Sequence, residues 1–583
     1  MIALLFVLAA GTPFQDSLAA LSHSKAPAEQ RLHALFDLAW QHGNEENPER
    51  ATFRGVPGYG DRWTDLSADA IARRKRDTLS LLEAVRGIDR TALPATALLD
   101  YDLFRRDAEE DVRAQEFPEE LLAISQLSGP QYLSQVFEVM PTRTERDWAD
   151  VLARLEGIPA RLAQTEALLR AGMSRGVVQP KIVLRDVPAQ LEAQTPKDSL
   201  QAPLLKIVTR DGVPAQVRAD ALRIFAERIV PAYAKFHDFF TREYLPRARN
   251  SVGLAALPGG AAWYAERIRR ETTTEMTAAQ IHQLGLVEVK RIRGEMDKVI
   301  AQVGFRGGDF AAFARFLRTD PRFYFTDAQE LVRAYRDIAK RIDPELTKLF
   351  GILPRLPYGV QEIPAFAAPS QTTAYYRPGA PAAHRAGTYF VNTFRLETRP
   401  KWEMEALTLH ESVPGHHLQI ALQQELPGVP QFRKQARYVA FVEGWGLYAE
   451  SLGPELGMYQ DPYAKFGQLT YEMWRAIRLV VDTGLHSMGW SRQQAIDYFL
   501  QNSAKTEHDV TVEIDRYIVM PAQALAYKIG ELKLKELRAM AAKELGPRFD
   551  VRAFHDAVLG EGALPLTLLE SRVRAYISAG GRR

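Results

Sequence analysis

Three of the chain's 12 histidines fall in the segment Thr408-Leu409-His410-Glu411-Ser412-Val413-Pro414-Gly415-His416-His417-Leu418-Gln419, with a glutamate directly after the first. Neutral imidazole is the commonest metal ligand. A His-Glu pair with another His close behind is how a helix offers two zinc ligands and a general base. The usual spacing is H-E-x-x-H, because residues i and i+4 share a helix face. Here the spacing is longer. On an undistorted helix His416 would lie roughly 120° around the axis from His410, and His417 on nearly the same face but about 10 Å away. Pro414 disfavours an undistorted helix: it has no N–H, and its ring clashes with the His410 carbonyl four residues back. Gly415 accepts whatever backbone follows. A bulge over Val413-Pro414-Gly415 that loops out about one or two residues brings His416 back towards the i+4 place. His416 is therefore the expected second ligand, with His417 as the alternative. Glu411 is the expected general base, taking a proton from the attacking water. Ordinary polar residues at a helix end would account for a lone His. They account poorly for three His and a Glu inside an apolar run of Leu407, Leu409, Val413, Leu418, Ile420 and Leu422.

A catalytic zinc has three protein ligands and one open position. The third is sought in Ala440-Phe441-Val442-Glu443-Gly444-Trp445-Gly446-Leu447-Tyr448-Ala449-Glu450. Glu443 is a carboxylate in an apolar, aromatic segment, where it needs a cation or a proton. Glu450 stands i+7 from it, on roughly the same helix face, and is a candidate acceptor for a ligating His N–H. A plain salt bridge to Arg433, Lys434 or Arg437 is the competing explanation for either glutamate. The expected cofactor is one Zn2+ per chain.

The H-E-x-x-P-G-H-H-L-Q run and the following F-V-E-G-W-G-L-Y-A-E resemble a large bacterial family, catalogued as a domain of unknown function and generally regarded as zinc metallopeptidases. The likeness spans about Leu32 to Ala575. It includes Asn47-Pro48-Glu49-Arg50-Ala51-Thr52, Ile281-His282-Gln283-Leu284-Gly285-Leu286, the stretch Arg478–His486 and the stretch Arg516–Gly530. More distantly the chain is similar to thimet-oligopeptidase-like enzymes, whose glutamate ligand stands in an F-V-E or F-A-E context after the second His. Glu443 fits that context and its distance from His416. The resemblance implies a zinc peptidase acting on peptides; the extended spacing is its departure from the pattern.

Groups beyond the metal would complete such a site. Peptide hydrolysis develops an oxyanion, which a Tyr, His or Arg donor stabilises. Tyr517, Tyr527 and His486 are candidates, with Asp482 placed to orient His486 because the two share a helix face. Arg478 or Arg516 could hold a substrate carboxylate, for which the guanidinium fork is suited. Each has a plainer reading: a core tyrosine with a satisfied hydroxyl, or an Arg-Asp pair on one helix. The segment Thr388-Tyr389-Phe390-Val391-Asn392-Thr393 reads as a β-strand. Gluzincin-like peptidases commonly run an edge strand over the metal helix, and a peptide can pair with such an edge. Residues 388–393 are expected in that role, with Asn392 a side-chain contact; a small structural hairpin is the alternative.

The elements that must position these groups are mostly helices. Apolar residues recur at helical spacing over Ala68–Arg86, Thr144–Ala171, Val213–Tyr244, Ala278–Val303 and Ala328–Leu349. The pattern predicts a mainly α, multi-helix architecture with a small β element before the metal helix. Its expected divisions are a signal peptide over 1–20, a helical part over 21–350 forming a channel wall, and a catalytic part over 351–583. With 583 residues, the chain has about three or four domains' worth of mass. A net charge of +2 and no basic stripe argue against nucleic acid. The absence of cysteine excludes disulfides, Cys-ligated zinc, a Cys nucleophile and a lipid-modified Cys from this sequence. Leu257-Pro258-Gly259-Gly260 lacks the Lys-Ser/Thr of a phosphate loop, and no G-x-S-x-G elbow supports a serine hydrolase. The apolar run Ile2–Ala10 with Leu18-Ala19-Ala20 reads as a secretory signal without a basic start. It is too short for a stable membrane span, so a periplasmic or secreted protein is expected. Three functions compete: a zinc peptidase for short peptides, a metal-dependent hydrolase of another amide or ester, and a non-catalytic metal-bearing binding protein. Glu411 disfavours the last, which has no need of a base.

Overall fold

The computed structural model describes residues 12–364, 368, 372–380 and 385–582. They form two compact units, one running up to Ser251 and including Pro430–Phe432, the other comprising Val252–Val429 and the chain from Arg433 onward.

In the first unit the helix expected over Ala68–Arg86 is present, opened by Ser67, whose hydroxyl accepts from the Ala70 N–H. Helix Glu145–Arg175 begins with a capping box, in which the Thr144 and Asp147 side chains each satisfy the other's backbone N–H. The helix expected over 213–244 is interrupted by two π turns, Phe225–Ile229 and Phe240–Tyr244. Each lies just before a proline, Pro231 or Pro246, that cannot donate to the carbonyl four residues back. The Val230 N–H reaches the Phe225 carbonyl, and the Leu245 N–H that of Phe240. Phe14 and Leu18 of helix Pro13–Ser22 pack with Leu32, Phe36, Leu82, Tyr101 and Phe104. Phe432 joins this core, its ring centroid 4.9 Å from Phe36 and 5.3 Å from Phe104. The apolar run expected to be a signal, Ile2–Ala10, lies outside the described residues. The Leu18-Ala19-Ala20 site is helical, and cleavage there would remove Phe14 and Leu18 from the core.

The second unit contains α1 (Ala278–Gln302), α2 (Met404–Glu411), α3 (His416–Gln424), α4 (Val439–Ser451), α5 (Pro462–Ser487), α6 (Glu507–Val519) and α7 (Ala526–Leu545). Thr277 and Gln280 form a capping box at the start of α1. Along α5, α1 lies so close at Gly285 that a Cβ would stand 2.7 Å from Leu479. This pairing explains why the compact units divide after Ser251 and not near 350: α1 shares its core with the C-terminal helices.

A three-stranded sheet precedes α2. Strands β1 (Tyr358–Glu362), β2 (Ala374–Arg377) and β3 (Gly387–Val391) are ordered β1-β3-β2. β3 runs parallel to β1, with Tyr358 opposite Gly387, and antiparallel to β2, with Ala374 opposite Val391. The strand expected over 388–393 therefore exists but is central, hydrogen-bonded on both sides and buried at every residue. It has no free edge for a peptide. Among the described residues no helix is long and apolar enough to cross a membrane.

Candidate metal centre

Helix α2 stops at Glu411, and α3 begins at His416. Between them the chain turns through Ser412–Gly415, with a cis Val413–Pro414 bond. Gly415 presses on the preceding turn, where a Cβ would stand 2.0 Å from the His410 carbonyl oxygen; only glycine fits. The indole Nε1 of Trp445 donates to the Pro414 carbonyl at 2.7 Å and ties the turn to α4. The break brings the two imidazoles together, with ring centroids 4.6 Å apart and planes at 84°.

Glu443 comes in from α4. Its Oε2 lies 3.4 Å from His416 Nε2 and 3.8 Å from His410 Nε2. Ligand atoms of His410, His416 and Glu443 all lie within 4.8 Å of one another, and all three residues are buried. Zinc bonds of about 2.0–2.2 Å in a tetrahedron put neighbouring ligand atoms about 3.3–3.6 Å apart, so the donor set fits such an ion with small adjustments. Two imidazoles and a carboxylate also suit zinc chemically. His410 Nδ1 meets Glu450 Oε1 at 2.8 Å, the carboxylate support that holds a ligating His with its other nitrogen free for the metal. Burial would lower the His410 pKa, but Glu443 and Glu450 push it up to about 9. Burial would raise the Glu443 carboxyl, but His416 and His410 hold it well below the usual carboxylate range. Carboxylates so crowded and buried call for positive charge among them. The outer oxygen of Glu443 also accepts from exposed Arg437 at 3.2 Å, so metal ligation and salt bridge are compatible here. Arg433 instead pairs with Glu561.

Glycines let the helices approach. A Cβ on Gly446 would stand 2.6–2.9 Å from atoms of the His410 ring, and one on Gly530 of α7 only 1.8 Å from the Ala440 carbonyl. Replacing a helical Gly by Ala ordinarily gains up to about 1 kcal/mol. Gly446→Ala is expected to do the reverse, costing about 1–3 kcal/mol by overpacking and lowering zinc content as His410 is pushed aside. Thermal denaturation with metal analysis checks both; a variant that melts higher with full zinc would refute this seat for His410.

The remaining expected site residues separate. Glu411 is half-buried at the end of α2 and has no hydrogen-bond or ion-pair partner among the described residues; its charge acts on His410 and on the buried Tyr389 phenol. His417, the alternative ligand, lies outside the converging group. Its Nδ1 bonds the Tyr376 hydroxyl at 2.8 Å, its ring packs 4.6 Å from Tyr358, and burial lowers its pKa to about 4. Asn392 is not poised for substrate: its amide donates to the Ala368 and Thr372 carbonyls, and its oxygen accepts from the Phe394 N–H. His486 is used up by backbone, with Nδ1 accepting from the Leu254 N–H and Nε2 bonded to the Tyr517 carbonyl, each at 3.0 Å. Asp482 does not orient it. Asp482 accepts from the Tyr264 hydroxyl at 2.6 Å and the Ala522 N–H at 3.1 Å. The Tyr517 hydroxyl accepts from Arg478 Nε at 2.7 Å and Trp474 Nε1 at 3.0 Å. Tyr527 is half-buried, its ring 4.6 Å from the Arg478 guanidinium and its hydroxyl without a hydrogen-bond partner among the described residues. Trp445, Gly446 and Tyr376 escaped the sequence reading. The paired glycines of E-G-W-G were the available signal for the first two; nothing local marks Tyr376.

Asp482 has its own consequence. Burial pushes its carboxyl up to about 7 against those two hydrogen bonds. Its unfolded value is about 4, so between about pH 4 and 7 the native state binds the extra proton and stability falls as pH rises. Asp482→Asn is expected to flatten that fall, whose steepest slope is about 1.4 kcal/mol per pH unit. Denaturant titrations across the window check this, and an unchanged slope would clear Asp482 of it.

Fold and site together define a mainly helical protein with a buried two-histidine, one-glutamate cluster. The chain belongs to the bacterial protein family of unknown function DUF885, whose model matches residues 48–573. It is similar over 95% of its length, and all of the other chain, to a crystal structure from Colwellia psychrerythraea described as a "putative lipoprotein", with 28% identity and a TM-score of 0.90. A second structure, from Shewanella oneidensis and described as a "putative lipoprotein of unknown function", shares the fold at 18% identity and a TM-score of 0.72, over 94% of this chain and 99% of that one. No curated protein matches the chain.

Proposed function

We propose that this protein is a zinc-dependent hydrolase that cleaves peptide bonds in short peptides. The observation that carries the reading is the convergence of His410, His416 and Glu443, with Glu450 behind His410 and Glu411 unpartnered at the end of the same helix. A divalent cation held by the three would supply Lewis acidity to a substrate carbonyl. Glu411 takes the proton of the attacking water and returns it to the leaving amine. Glu450 keeps the Nδ1 proton of His410 and so presents Nε2 as a ligand. With Tyr517 and His486 occupied elsewhere, Tyr527 is the remaining candidate to donate to the oxygen that becomes negative. Peptides are favoured over other amides and esters by the similarity of the His-Glu…His…Glu order to thimet-oligopeptidase-like enzymes. An exported, periplasmic or secreted location is supported by the description of the Colwellia relative as a putative lipoprotein. The test is digestion of a peptide library by purified protein with and without chelator, read by mass spectrometry beside a metal assay. Chelator-sensitive cleavage is expected with about one zinc per chain, the stoichiometry of a single three-ligand site. Full zinc content without any cleavage would sink the proposal.

A further inference from the structure

Helices α5 and α6 bring together three arginines whose donors are not used up. Arg475 and Arg478, one turn apart on α5, are only 6% and 4% exposed. Arg516 reaches them from α6. Arg478 Nη2 lies 3.2 Å and Arg516 Nε 3.5 Å from the same oxygen of Glu513. One carboxylate thus serves two guanidinium groups. Arg475 Nη1 makes only a 3.4 Å bond to the Tyr471 carbonyl. Arg475 Nε, Arg478 Nη1 and Arg516 Nη2 are buried donors with no hydrogen-bond partner. Aromatic rings complete the surroundings: Trp474 lies 4.8 Å from both Arg475 and Arg478, and Tyr527 lies 4.6 Å from Arg478. Lys505, near Trp474, is already paired with Glu403.

Two buried guanidinium groups and the half-buried one of Arg516 around one negative group are costly unless an anion completes them. Guanidinium forks with free N–H donors match the two oxygens of a carboxylate. Helix α5, which carries Arg475 and Arg478, packs against α2 and α4, which carry His410 and Glu443. Tyr471, one turn before Arg475, is acted on by the charges of both Arg475 and Glu450. The partly exposed Arg516 side chain and half-buried Tyr527 leave the cluster open to solvent.

We infer that Arg475, Arg478 and Arg516 form a cradle for the terminal carboxylate of the peptide, so that the substrates are short peptides with a free C-terminus. The inference rests on the peptidase reading, and it names the end of the peptide that is recognised.

The test separates the two. Full-length, zinc-loaded Glu411→Gln protein is titrated calorimetrically with Ala-Ala-Ala-Phe, with its C-terminal amide and with inorganic phosphate. Wild-type protein is assayed for cleavage of the same two peptides. The acid is expected to bind about tenfold or more tightly than the amide, the range of a hydrogen bond to a charged group. Adding Arg516→Gln should bring the ratio towards one, and Arg516→Lys should restore part of it. Arg516 is the most exposed of the three, so these variants spare the core; the Lys form alone suffices if the Gln form does not fold. Equal binding of acid and amide overturns the cradle, whether or not either is cleaved. So does an acid preference that survives Arg516→Gln, or phosphate binding that depends on Arg516 without an acid preference. Arg516-dependent acid preference without cleavage by wild-type protein upholds the cradle and counts against the peptidase.

Discussion

Glu411→Gln protein is expected to keep its zinc and to lose peptide turnover by about 10² to 10⁴, the usual worth of a general base. The separation follows from position. Glu411 stands next to His410 in sequence, yet it is not one of the three residues whose ligand atoms converge. It has no hydrogen-bond or ion-pair partner among the described residues. Exchanging its carboxylate for an amide therefore disturbs no ion pair, while removing the group able to take a proton. The His410–Glu450 bond at 2.8 Å and the Glu443 contacts do not involve it. Metal analysis of the variant beside a mass-spectrometric rate assay reads both halves. Undiminished turnover would discard Glu411 as the base. Lost turnover together with lost zinc would mean that Glu411 belongs to the metal's own support.

The convergence of His410, His416 and Glu443 was largely legible because much of its physics is local. Pro414 and Gly415 announce a break in the helix, and a break is what brings the His416 imidazole to within 4.6 Å of that of His410. Glu443 and Glu450 were legible as carboxylates stranded in apolar sequence, which need partners. Helix starts such as Ser67 and Thr277 are legible for the same reason, since a cap is chemistry within four residues.

What pattern could not supply was set by contacts distant in sequence. β3 carries β-branched and aromatic residues, but whether a strand is central or an edge depends on β1 and β2, which flank it through the pairings at 358–362 and 374–377. His486 and Asp482 share a helix face, as the spacing says. Their partners nevertheless come from Leu254, Tyr517, Tyr264 and Ala522, and each was diverted to hold backbone or a buried phenol. Arg475 sat unremarked beside Arg478, because one more arginine on a helix reads as a solvated residue. Only its burial gives it meaning.

His416→Ala is expected to empty the metal site, and His417→Ala to leave it filled. Adjacent in sequence, the two side chains diverge because the helix restarts at His416, with successive residues about 100° apart around its axis. His416 Nε2 faces Glu443 at 3.4 Å. His417 faces the sheet, bonded to Tyr376 at 2.8 Å and packed on Tyr358. Losing an outer hydrogen-bonding partner of a metal ligand typically costs about 10- to 100-fold in metal affinity. Loss of His416 itself should exceed that, since two protein ligands cannot hold the three-ligand site of a catalytic zinc. Activity should fall with the metal. His417→Ala removes a buried hydrogen bond and a packed ring, so it should cost about 1–3 kcal/mol in stability while zinc and turnover remain. Competition with a chromophoric chelator gives the two affinities, and denaturant unfolding the two stabilities. If His417→Ala empties the site and His416→Ala does not, the ligand assignment is reversed and the break at Pro414 does not serve to present His416.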